Sequence, residues 1–182
     1  MTYRVTNIVQ LQHNNTELLQ KAVTGFNSTG LLRALLPMPR ELIVDIDVDD
    51  ENIDDIRATN KLTFGYADSY EFRVAVWHCT SDIDSTRLKA EVTGDTAVLE
   101  FDTMLHSPVA VFDRLLDFGF DIVAYYYEPR LGFCGVWDNG VNYSFDISGY
   151  PAAVIRNFID PTLDDVFGIT DSIIEFEEEE FA

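Results

Sequence analysis

"AEVTGDTAVLEFDTMLHSPVAVFDRLLDFGFDIVAYYYEP", Ala90 to Pro129, is the stretch on which the fold turns. Val98 and Glu100 alternate with Leu99 and Phe101, and "TGD" (Thr93 to Asp95) supplies a tight turn. Residues 87–103 therefore read as a hairpin. The period then changes. "SPVAVFDRLLDFGF" places Val111, Phe112, Leu115 and Leu116 on one helical face, with Ser107 as N-cap, Pro108 in the first turn and Gly119 closing the helix. "DIVAYYYEP" returns to strand. Strand, helix, strand is one βαβ unit, half of a ferredoxin-like split βαβ core.

The other half lies upstream. "YRVTNIVQLQ" (3–12) alternates as a first strand, with Val5 and either Ile8 or Val9 facing a core. "NTELLQKAVTGF" (15–26) is a helix capped by Asn15 or Thr16, burying Leu18, Leu19, Ala22, Val23 and Phe26. "LLRALLPMPREL" (31–42) is short, apolar and broken by Pro37 and Pro39, so it reads as a strand or turn. "KLTFGYADSYEFRVAVWHCTSDI" (61–83) fits a helix through Tyr70, Val74 and Trp77, or a strand at "FRVAVWH". Downstream, "GFCGVWDNGVNYSFDIS" (132–148) is a hairpin turning at Asp138, Asn139 and Gly140, and "YPAAVIRNFI" (150–159) is a short helix. The expected fold is α+β: an antiparallel sheet with helices on one face and a ferredoxin-like split βαβ core. Residues 1–150 form the domain, with an acidic insert at about 41–60. Residues 151–182 form an acidic C-terminal extension packed on or trailing from it.

The 182 residues suit one such domain, and 47% hydrophobic with 13% aromatic content provides a core. A net charge of −20, from 32 acids against 12 Lys and Arg, is high for a core-bearing chain. It disfavours direct binding to nucleic-acid phosphates or anionic membranes and favours basic partners. The first residues lack a signal-peptide pattern, and no apolar run reaches the ~18 residues of a membrane span. Two cysteines, Cys79 and Cys134, make no disulfide framework. The expected setting is the cytoplasm, in the host cell if the protein comes from a mobile element.

"VTN" near the start, "LLPMPREL", Trp77 with the polar residues after it, "FDT" followed by "SP", and "YYEPRLGFCG" occur in this order. Together they resemble the YubB-like family of ferredoxin-like domains found on plasmids, genomic islands and phages. The resemblance covers roughly residues 3–148 and is most specific from Phe101 to Gly135. The chain departs from the family pattern in lacking a Trp near Arg4, in carrying "WHCTSD" (Trp77 to Asp82) where the family has a "WGTKWD"-like run, and in having Leu105 or His106 where a Trp precedes the "SP" element. The resemblance implies a fold and a mobile-element origin. It implies no activity, so it assigns no site residues.

Catalytic and metal chemistry find little support in spacing. An EF-hand register starting at Asp45 reaches Asp47 and Asp49 but meets Asp50 at position 6 and Ile56 at position 12; starting at Asp47 it meets Ala58 at position 12. His78 and Cys79 complete no zinc set. Cys79, His106 and Asp102 make a triad only on paper, and Asp102 with Glu128 make a carboxylate pair only if strand ends bring them together. A small hydrolase or nucleotide-binding enzyme would be built on Trp77–Asp82 and Phe101–Ser107. No cofactor and no metal are expected. Tyr125, Tyr126 and Tyr127 read as core residues rather than as a base-stacking stripe.

Charge remains the distinctive feature. Residues 41–56 hold eight acids and residues 157–182 nine, and neither segment contains a base. In "VDIDVD", Asp45, Asp47 and Asp49 recur every second residue, so an extended strand would set their carboxylates on one face about 6.7 Å apart. "IIEFEEEE" begins the same way, with Glu175 and Glu177 opposite Ile174 and Phe176. The expected function is non-enzymatic: an acidic protein of a phage or mobile element that occupies the nucleic-acid site of a basic host protein, as a DNA mimic or anti-defence inhibitor. The partner-binding residues are Asp45, Asp47, Asp49, Asp50, Glu51, Asp54, Asp55, Glu175, Glu177, Glu178, Glu179 and Glu180. An alternative is an assembly protein whose acidity serves only solubility and which forms homo-oligomers through a sheet edge.

Overall fold

The computed structural model describes residues 3–43, 52–85 and 89–180. Among them, strands β1 (Arg4–Gln12), β2 (Val92–Thr93), β3 (Thr96–Met104), β4 (Asp121–Glu128), β5 (Phe133–Asp138) and β6 (Val141–Asp146) form one sheet. The order is β2-β3-β1-β4-β5-β6, and every neighbouring pair is antiparallel. The protein is therefore α+β. Helix α1 (Thr16–Phe26) follows β1; α2 (Leu31–Leu35), α3 (Arg40–Ile43), α4 (Ile53–Phe64) and α5 (Ser69–Phe72), which runs into a π-helical turn at Arg73–Trp77, lie between α1 and β2. Helix α6 (Val109–Asp117) joins β3 to β4, and α7 (Ala152–Ile155), α8 (Pro161–Phe167) and α9 (Ile169–Glu180) end the chain.

Local chemistry explains the regular parts. Asn15 caps α1, its side chain accepting from the amides of Glu17 at 3.0 Å and Leu18 at 3.1 Å. Gly94, at φ +65°, turns β2 into β3. Asn139 (φ 42°) and Gly140 (φ 98°) turn β5 into β6 with two left-handed residues, as an Asn-Gly hairpin requires. Strand β1 alternates as expected: Val5, Asn7, Val9 and Leu11 point into the core, so Val9 and not Ile8 is the inward residue.

The sheet is covered on both faces. Val9, Leu11, Leu99, Phe101, Ile122, Ala124 and Trp137 join α1, α2 and α6 in one core. The opposite face of β4 to β6, bearing Tyr125, Tyr127, Cys134, Val136 and Phe145, packs under Ile155, Leu163 and Ile169 of the C-terminal helices. Helices on one face was the expectation; α7 to α9 make a second layer over half of the sheet. Over β1 and β3 that second face stays open, with Thr6, Gln10, Val98 and Glu100 at least partly exposed.

Two further expectations change and one open alternative resolves. "LLRALL" is helical, because it contains no β-branched residue and is capped from a distance: Asp82 accepts from the amides of Leu32 at 2.7 Å and Arg33 at 2.8 Å. Of the two readings of 61–83, the helix holds at 61–64 and 69–77 and the strand at "FRVAVWH" does not; Trp77 is buried, its indole N–H donating to Leu36 O at 2.9 Å. Helix α6 starts at Val109 with Pro108 in the cap position and no side-chain cap, so Ser107 does not cap it.

Candidate functional site

The predicted acidic residues divide into three groups. Asp45, Asp47, Asp49, Asp50 and Glu51 lie outside the described residues, and so does the strand expected for "DIDVDD". Asp54 and Asp55 are exposed in the first turn of α4, where carboxylates face the positive end of the helix dipole and stabilise it. Their acidity thus has a role within the fold. Glu175 is exposed on α9, and Glu177 to Glu180 complete that helix, their side chains lying outside the described residues. The extended reading of "IIEFEEEE" is corrected. Ile169 and Ile173, four residues apart, face the second core, and that helical spacing outweighs the short alternation at Ile174 to Glu177.

The C-terminal helices concentrate charge. Asp160 caps α8, accepting from Thr162 N at 2.8 Å and Leu163 N at 3.2 Å. Arg156, the last base of the chain, binds Asp171 at 2.7 Å and lies 3.8 Å from Asp164. Beyond it, Asp165 and Glu175 are exposed on a base-free segment. Phe176 stands beside Glu175 at 62% exposure, and Tyr150 is 51% exposed. Both border a groove of about 530 Å³ that also takes in Tyr127, Pro129, Arg130 and Pro151. Among the described residues, Arg130 is the one charged residue bordering the groove, and the exposed carboxylate of Glu175 lies next to Phe176 in sequence; exposed aromatics with such a rim have the composition of a protein-binding patch. Sequence reasoning missed Tyr150 and Phe176 because nothing in the local pattern separates an exposed aromatic from a buried one.

The candidate catalytic sets are dispersed. Strand register puts Asp102 beside Thr6 and on the open face, where it accepts from Thr6 Oγ1 at 3.1 Å and lies 3.7 Å from Arg4. Glu128 follows Tyr127 on β4 and points to the other face, where it is buried and accepts the Leu131 amide. The two carboxylates are on opposite sides of the sheet and form no pair. Cys79 donates to Ser81 O at 3.0 Å, and burial pushes its thiol up to about 11. Cys134 is fully buried and is pushed up to about 12, first by desolvation and then by nearby Asp164. Among the described residues, no group of three metal-ligating side chains converges, and no helix is long and apolar enough to cross a membrane.

A second concavity lies where β3 ends and α6 begins. Asn7 is fully buried on β1; its Nδ2 donates to Thr103 Oγ1 at 2.9 Å and to Val5 O at 3.0 Å. Thr103 Oγ1 donates in turn to His106 O at 2.7 Å. Asn7 Oδ1 and Ser107 Oγ are buried and have no hydrogen-bond partner. Leu105, in the same loop as Ser107, has φ +68°. Across the gap, Tyr126 lies over Gly135, where a Cβ would come within 2.2 Å of its hydroxyl oxygen, and that hydroxyl donates to Asn142 Oδ1 at 2.8 Å. The resulting pocket, about 390 Å³, is bordered by His106, Ser107, Tyr126, Phe133, Asn142 and Ser144. Its walls belong to the "FDT…SP…YYEP…GF.G" series that the sequence singled out, although Asn142 and Ser144 carried no signal there.

Comparison with family models, with curated proteins and with solved structures yields no match to this chain.

Proposed function

We propose that the protein acts by binding, as an acidic mobile-element protein that captures a basic host protein through a carboxylate-rich surface and so occupies its nucleic-acid site. The observation that carries this reading is the pairing of a base-free acidic helix, α9, with exposed Phe176 and Tyr150 beside it. Carboxylates would steer a basic partner and the aromatics would supply the desolvated anchor. The charge balance supports it too. Arg4, Arg57, Lys61, Arg114 and Arg156, five of the twelve bases, are each engaged with carboxylates of the chain itself, which leaves the surface charge strongly acidic. The eight acids and no base of residues 41–56 support the same reading by composition.

The finer fold assignment belongs to the same proposal. With β1, α1 and β2 taken as the first split βαβ unit and β3, α6 and β4 as the second, the order β2-β3-β1-β4 is that of a ferredoxin-like core, extended by β5 and β6. This arrangement supports kinship with the YubB-like domains, and with it an origin in a phage or plasmid and a place in the host cytoplasm.

Affinity capture from host lysate at low and high salt tests the function. A basic, nucleic-acid-binding protein should be retained at low salt and released at high salt. Glu175→Lys with Phe176→Ala, and separately reversal of Asp45, Asp47 and Asp49 to Lys, should each weaken capture. Retention unchanged by both sets of substitutions would overturn the reading. One observation favours a second function. Strand β6 ends the sheet with Val141 and Tyr143 exposed, a geometry suited to homo-oligomerisation through that edge. Light scattering that gives a dimer mass, with no basic protein captured, would select it.

A further inference from the structure

We propose that the pocket between the β3–α6 loop and strands β4 to β6 binds a small, uncharged, planar ring with a hydrogen-bonding edge, the chemical class of a nucleoside base or an aromatic carboxamide. The inference is independent of the acidic surface.

Three features stand at or behind this loop: Ser107 borders the pocket, Leu105 lies two residues before it, and Asn7 on β1 is joined to the loop through Thr103. Leu105 adopts a left-handed conformation that side chains other than glycine's rarely take. Ser107 stands where a helix cap is expected, yet α6 is not capped by it, and its hydroxyl is left buried and unpartnered. Asn7, at 0% exposure, commits its amide hydrogens to Thr103 and the backbone but leaves its carbonyl oxygen unpartnered. Local rules that fail together, with no structural gain, mark a place shaped for something else.

The walls define what fits. The pocket borders carry no Asp, Glu, Lys or Arg. In a chain of net charge −20 that is a notable exclusion. A cation would find no carboxylate there, and an anion would find no Lys or Arg and only the imidazole of His106, so a neutral ligand is favoured. Phe133, Leu131 and Val109 give apolar walls against which a flat ring can lie, and Phe133 packs edge-on to Tyr126 with centroids 6.4 Å apart. Asn142 and Ser144, on the same face of β6, offer polar groups at one rim. Asn142 accepts from Tyr126 through Oδ1, which orients its amide Nδ2 as a donor. Gly135 completes the design. Any side chain there would displace Tyr126 from the floor.

The probes are adenosine, guanosine, cytidine, uridine and nicotinamide, with adenosine 5′-monophosphate as the charged comparison. Saturation-transfer and chemical-shift NMR on the full chain should show at least one neutral probe bound, with shifts at His106, Tyr126 and Ser144. The monophosphate should bind more weakly than adenosine at low salt. Asn142→Leu should reduce affinity about tenfold, the equivalent of one hydrogen bond. Leu131→Asp, at a rim position 41% exposed and therefore tolerant of substitution, should reduce it similarly. No shift at the pocket with any of the five neutral probes would overturn the proposal. So would affinity unchanged in Leu131→Asp, whose folding is checked by its melting curve.

Discussion

Asp82 holds together two segments that the sequence separates by fifty residues. Its carboxylate takes the first free amides of α2 and its own neighbour's, Ile83 N, at 2.8 Å. Gly30 leaves room for it, since a Cβ there would meet Asp82 Oδ2 at 2.1 Å. Burial raises the pKa of this carboxyl, and the three amides work against that rise. Asp82→Ala should therefore cost about 2 kcal/mol, read as a lower denaturation midpoint at unchanged slope. A midpoint equal to wild type would show that α2 needs no cap. The contrast with Asn15 explains what sequence reading can reach at this scale. Asn15 caps the helix that follows it, and the pattern is visible within four residues. Asp82 caps a helix far upstream, and no local pattern connects them. Ser107 is the converse: a good cap residue in the right place, passed over because the chain enters α6 through Pro108.

At the level of elements, the hairpins, the first helix and the alternating strand β1 were legible because each rests on a short-range rule. The second helical layer was less so, yet a signal for it exists. "DIVAYYYE" and "FCGVW" are almost continuously apolar, as strands buried on both faces are, whereas β1 intersperses Thr, Asn and Gln and has one open face. Tyr125 and Tyr127 belong to that second face, where Tyr127 meets Phe167 at 5.6 Å between ring centroids. Leu163 on α8 is fully buried against this layer. Leu163→Ala should lower stability by about 2–5 kcal/mol, as cavity-forming substitutions in a core do, measured by denaturant unfolding. A loss below about 0.5 kcal/mol would mean that the C-terminal helices contribute little packing. The tail misled for a physical reason: "IIEFE" satisfies a period of two over four residues, but Ile169 and Ile173 satisfy the helical period over the longer span.

Across the whole molecule, charge and topology interact. The candidate acidic site was legible only as composition. Sequence shows where acids cluster; it does not show that Asp54 and Asp55 serve the start of α4, or that exposed aromatics accompany Glu175. Strand β6 brings the two properties together. It presents a free edge of six residues, "VNYSFD", with one charged side chain, Asp146, at its far end. Natural sheets protect such edges with local lysines, prolines or bulges. Here protection is global, because any two copies approaching edge to edge carry −20 each. That guard is set by pH. Near the isoelectric point of about 4.2 it disappears while the edge remains, so the protein should become turbid there and clear again on return to neutral pH. Tyr143→Lys, which places a cation in the middle of the edge, should suppress the turbidity; a sample that stays clear at pH 4.2 without it would refute the link. The excess of acid then has a colloidal consequence apart from any partner. It sets the range of acidity over which an unprotected β-sheet stays in solution as separate molecules.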